Sequence, residues 1–196
     1  PKNDDFNDKI LVERTIQIIN EYKFANKYVS YNQVKLGCKK HVHFALKWVN
    51  DNVDNENLLF VLEDDILLNE NTQKRIDLSE NYKDQFFVLK FNRYFWGWIS
   101  NKKTIEVLIG GLKSIVSEYD SIKNDITNLT DFKNKYNFKD VNQLILELEP
   151  FSKNIYVPWD EEYPIIMKFN NILDISCKKD EYYTDNIGVI SSRDNN

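Results

Sequence analysis

Two cysteines, two histidines, one methionine, five glycines and four prolines among 196 residues leave this chain poor in the residue types that usually announce a function. Cys38 and Cys177 stand far apart, too few and too distant to read as a disulfide framework, so a reducing, cytoplasmic setting is the expectation. No apolar run approaches the roughly eighteen residues that a membrane span needs, and the start carries no signal-peptide pattern. No transmembrane segment is therefore expected, and any attachment to a membrane would be peripheral. A net charge of −5 leaves no broad basic surface, which argues against nucleic acid as a partner. The scarcity of Gly and Pro also removes any low-complexity linker, and length by itself favours one domain.

What the chain does have is core material: 42% of residues are hydrophobic and 14% aromatic, as in a folded globular protein. Its most telling stretch is 58–68, Leu-Leu-Phe-Val-Leu-Glu-Asp-Asp-Ile-Leu-Leu, in which an apolar run gives way to three consecutive acids. A short run rich in Leu, Val and Phe predicts a strand buried on both faces, as in a parallel sheet covered by helices. Ligands of open α/β sheets bind beyond the carboxyl ends of the strands, and Glu63, Asp64 and Asp65 would stand at that edge. Adjacent carboxylates repel one another when desolvated, so a hard divalent cation, Mg²⁺ or Mn²⁺, is a natural partner. The same residues also suit a solvated surface turn, a phosphoryl-transfer fold or a receiver domain.

Along the rest of the chain, apolar spacing predicts a helix over 8–22 and a short strand over 28–31. A second helix runs to Asp51 with Val42, Ala45, Leu46, Trp48 and Val49 on its apolar face. Further on come a short helix over 72–79, a strand over 85–91, an aromatic stretch over 94–99 centred on Gly97, and one helix over 103–117 that tolerates Gly110 and Gly111. Residues 119–150 read as a variable insertion of exposed helices, one of them near 141–148. A helix from Trp159-Asp160 to Phe169, a strand over 173–176 and a polar tail complete the chain.

Four stretches in this order resemble the nucleotide-sugar glycosyltransferases of the GT-A fold, close to family 2. They are Leu36-Gly37-Cys38 with the Ala45-Leu-Lys-Trp48 helix, Leu62-Glu-Asp-Asp65, Trp96-Gly-Trp98, and Trp159-Asp160 followed later by Asn186-Ile-Gly188. The resemblance implies a Rossmann-like mixed sheet with flanking helices, starting just after the second strand of such a domain, so that the base-binding strands would be missing. It implies transfer of a sugar from a nucleotide-diphosphate donor to a hydroxyl of a glycan, lipid-linked or protein acceptor, with inversion. By the same similarity Asp65, with Asp64, would bind the metal, and Glu63 and Asp64 would contact the donor. Asp160 would be the catalytic base, with Glu161 and Glu162 as competitors and helix capping as the plain alternative. Trp96, Trp98 and Trp159 would offer aromatic faces to sugar rings, Gly97 would allow close approach of backbone to ligand, and Gly37 would serve a turn near the phosphates. Arg93, Lys102 and Lys103 are candidates for the diphosphate. Where the family carries Asn before that glycine turn, this chain has Lys35, and no late metal-binding His is present. A catalytically degenerate sugar-binding scaffold and a phosphoryl-transfer enzyme stand as the alternative functions.

Overall fold

The computed structural model describes residues 13, 14, 16–18, 20, 21, 23, 37–54, 57–62, 66–69, 71–91, 95, 97–177 and 184–186. The chain divides into two compact units, Pro1–Lys35 and Leu36–Asn196. In the first, the described residues between 13 and 21 are helical, within the helix expected over 8–22, whereas the strand expected over 28–31 lies outside the described residues.

The second unit is mixed α/β. Its elements are α1 (Cys38–Asn52), β1 (Leu58–Leu62), β2 (Ile66–Leu68), α2 (Thr72–Ser79), β3 (Phe87–Lys90), β4 (Gly97–Asn101), α3 (Lys102–Gly110), α4 (Lys113–Ile122), α5 (Ile126–Lys135), α6 (Val141–Ser152), α7 (Trp159–Phe169), β5 (Leu173–Ile175) and β6 (Thr184–Asn186). Four strands form one open sheet in the order β1-β4-β3-β5, and β2 pairs with β6 separately. β4 is antiparallel to both neighbours while β3 and β5 are parallel, so β1, β3 and β5 share one direction and end at one edge.

This order corrects the expectation for β1. All of β3 is buried, whereas β1 alternates between half-buried and exposed positions, with Phe60 and Leu62 both open to solvent. β1 is outermost in the sheet as described; β4 is buried at every position, and so is β3. The side chains of β3 alternate as the pleat requires: Phe87 and Leu89 pack with Ile99 beneath α2, and Val88 joins the larger core on the other face.

That larger core changes the status of residues 119–150. Tyr119, Leu129, Phe132, Phe138, Leu144 and Leu148 are buried in the same cluster as Trp98, Ile105 and Ile166. The segment expected as an exposed insertion therefore supplies much of the main core. The single helix expected over 103–117 is two, because Gly111 adopts φ 63° and breaks the hydrogen-bond ladder after Gly110. Asn101 caps α3: its side-chain oxygen accepts from the Thr104 amide at 3.0 Å and from the Thr104 hydroxyl at 2.8 Å. Among the described residues, no helix is long and apolar enough to cross a membrane.

Candidate functional site

The carboxyl ends of β1, β3 and β5 face the same edge as the start of β4, and β1 ends there at Leu62, the residue that precedes the acidic run in the sequence. Glu63, Asp64 and Asp65 themselves lie outside the described residues, but both of their flanks are placed. Leu62 stands opposite Gly97, and Ile66 stands opposite Asn186 in the second sheet. In the sequence, the acids separate the last residue of β1 from the first of β2. Among the described residues no group of three His, Cys, Asp or Glu side chains is placed to hold a metal ion.

Gly97 is needed for packing within the sheet. A Cβ there would meet Leu62 Cδ1 at 3.1 Å and Phe91 Cβ at 3.7 Å, so the close approach it permits is to β1. Trp96 lies outside the described residues. Trp98 and Trp159 are 0% and 5% exposed, and neither presents a free ring face to a sugar. They are core aromatics joined through Phe95, whose ring centroid is 6.2 Å from that of Trp98 and 5.8 Å from that of Trp159, edge-on in both cases. Tyr163 closes the cluster at 5.9 Å from Phe95 and 5.4 Å from Trp159. Burial, and then the negative charge of Glu162, push the Tyr163 phenol well above its ordinary pKa, so it stays protonated.

The start of α7 is tied to the start of α1. The Trp159 indole donates to Cys38 Sγ at 3.2 Å, Lys39 Nζ donates to the Val157 carbonyl at 2.9 Å, and Lys39 pairs with Glu162 at 2.5 Å. Gly37 is the N-cap of α1 at φ 73°, ψ 158°, a conformation essentially restricted to glycine. The space around it is open, with no atom within 4 Å of an added Cβ. Gly37→Ala should therefore destabilise the fold by about 1–3 kcal/mol through backbone strain alone. Urea denaturation checks this, and an unchanged midpoint would show that the α1 start relaxes freely.

Asp160 is not the cap of α7. Pro158 holds that position, with no side-chain cap bond, and Asp160 is half-buried inside the first turn beside Glu161 and Glu162. Three acids in a first turn suit the positive end of the helix dipole. Pro164 has no N–H to give the Asp160 carbonyl, so the ladder is interrupted at that residue. Of the competing acids, Glu162 is engaged by Lys39 and Glu161 is exposed.

No family model, curated protein or solved structure matches this chain. The site therefore rests on its own geometry.

The cations at this edge differ from those the sequence singled out. Lys102 and Lys103 follow β4 at its far end, on the order of 15 Å along the strand from Gly97, and donate to the carbonyls of Val53 and Asp84. They do not reach the acidic edge. Arg93 is outside the described residues. Lys90, at the end of β3, is 5% exposed, pairs with Asp174 at 2.8 Å and holds its ammonium 4.2 Å over the Phe95 ring. Arg75 donates from Nε to the Lys90 carbonyl at 3.0 Å and from Nη2 to the Ile175 carbonyl at 2.7 Å, binding together the ends of β3 and β5. One signal for Lys90 was available in the sequence: a lysine closing an otherwise apolar strand must find a partner if it is buried. Nothing local marks Arg75, whose partners are 15 and 100 positions away.

Proposed function

We propose that this chain is a glycosyltransferase domain that moves a sugar from a nucleotide-diphosphate donor to an acceptor hydroxyl with inversion at the anomeric carbon. The observation that carries this reading is convergence. The stretches that carry the resemblance, or residues next to them, are neighbours in space: Cys38 against Trp159 across 121 positions, Leu62 opposite Gly97, Ile66 opposite Asn186, and Phe95 between Trp98 and Trp159. A set of unrelated surface turns gives no reason for that gathering.

In this reading Asp160 accepts the proton of the acceptor hydroxyl as its oxygen attacks the anomeric carbon and the bond to the diphosphate breaks. The first turn of α7 is held in position for this by the Trp159–Cys38 and Glu162–Lys39 contacts. Asp64 and Asp65 would hold Mn²⁺ or Mg²⁺, which when bound supplies Lewis-acid stabilisation of the leaving diphosphate. Trp98 and Trp159 support the site from within the core; sugar stacking is left to Trp96 in this reading.

Asp65→Ala should abolish Mn²⁺-dependent binding of nucleotide sugar while leaving the fold intact. Titration calorimetry with a panel of nucleotide sugars on the full-length protein measures it, and unchanged affinity would remove Asp65 from the site. A second reading, phosphoryl transfer, has one observation in its favour: the pair between Lys90 at the end of β3 and Asp174 within β5 supplies the lysine and acid that it requires downstream of a strand-tip Asp. It gives no account of the α1–α7 junction. Release of inorganic phosphate from phosphate esters without sugar transfer would favour it.

A further inference from the structure

The exposed face of α1 carries side chains that the reading above does not use, although the groove it borders is also lined by Lys39, Trp159, Glu162 and Tyr163 of the α1–α7 junction. Lys40, His43, Phe44 and Lys47 are all exposed and recur at helical spacing, forming one stripe. The stripe borders a groove of about 660 Å³ whose other walls include Ile109 on α3 and Tyr156 ahead of α7. Phe44 and Tyr156, which line the same groove, are 44% and 69% exposed, so their apolar surfaces are not scattered single side chains. Among the described lining residues the one carboxylate, Glu162, is already held by Lys39. Among the described residues, Lys47 is engaged only by Asp51, in an exposed i,i+4 pair of little worth, and Lys40 has no ion pair. The patch is therefore cationic and apolar at once on a chain whose net charge is −5.

We propose that this face docks onto an anionic lipid bilayer, with Phe44 and Tyr156 entering the head-group boundary and Lys40 and Lys47 meeting lipid phosphates. Charge complementarity selects an anionic surface, and the exposed apolar side chains need a medium that takes them out of water. Lysine as the cation favours a bilayer over a protein partner: lysine is depleted at protein interfaces, whereas its stem lies along apolar surface with the ammonium at the head groups. This inference does not depend on the transfer reading.

Co-sedimentation of the full chain with vesicles tests it, comparing phosphatidylcholine alone with a mixture containing about one-third phosphatidylglycerol. The expected result is binding to the anionic vesicles only, weakening as salt is raised. Lys40→Gln combined with Lys47→Gln should lower partitioning about 25-fold, at roughly fivefold per lysine, and Phe44→Ser about tenfold. All three positions are exposed, so circular dichroism should show the fold retained. Equal binding to neutral vesicles, or undiminished binding by the double variant, would overturn the proposal. So would release of bound protein by millimolar inorganic phosphate, which would reveal a site for a soluble anion, or failure to bind either vesicle, which would leave a protein as the occupant of this face.

Discussion

Asp160→Asn should lower sugar transfer about 10²-fold or more while donor affinity stays within a small factor of the wild type. The amide keeps the shape of the carboxylate but cannot take the acceptor proton, and the base acts on the acceptor rather than the donor. Stability should fall by no more than about 1 kcal/mol. Pro158 provides the α7 cap position, so no cap bond is lost, and Glu161 and Glu162 retain negative charge in the first turn. Initial-rate assays with Mn²⁺ and a saturating donor, paired with a thermal melt, separate the two effects. Full activity in this variant would move the base to Glu161, because Glu162 is committed to Lys39.

The second large effect is structural and lies in a residue with no catalytic role of its own. Phe95→Ala should cost about 3–5 kcal/mol, the range for removing a buried aromatic side chain. Phe95 is 3% exposed and touches Trp98, Trp159 and Tyr163 edge-on while carrying the Lys90 ammonium over its face. Removing the ring opens a cavity, deletes three aromatic contacts and strips a buried cation of a favourable neighbour. Against a typical domain stability of about 5–15 kcal/mol the loss is severe. Chemical denaturation followed by tryptophan fluorescence measures it directly. A loss below about 1 kcal/mol would mean that the cluster re-packs around the gap, and Phe95 would no longer be its centre.

Phe95 also illustrates why part of the site could not be read from the chain. The aromatic stretch 94–99 draws attention to its tryptophans and to Gly97, since those residue types suggest stacking and close approach. In the fold both functions turn inward: Gly97 makes room for Leu62, and Trp98 fills the core. Nothing in the spacing identifies β4 as a strand, because it is buried at every position and shows no alternation. β6, a polar Thr-Asp-Asn, is a strand only because β2 stands beside it.

Local pattern did determine the elements whose stabilising contacts repeat within a few residues. The helix expected over 72–79 matches α2, Leu58–Leu62 is a strand that ends at the acids, and α7 runs to Phe169 from the Trp159 that opens it. Side-chain period and turn chemistry act over a single turn or pleat, so the amino-acid order suffices for them. Which strand is covered, which lysine stands at the acidic edge and whether 119–150 is surface or core were decided by long-range pairing. β1 and β3 both read as apolar runs, and only the order β1-β4-β3-β5 puts β3 inside and leaves β1 outermost among the described strands. Lys90 and Lys103 lie thirteen positions apart, but the reversal of β4 sends them to opposite ends of the sheet. Burial is a property of the neighbours a residue acquires, and those neighbours come from distant parts of the chain.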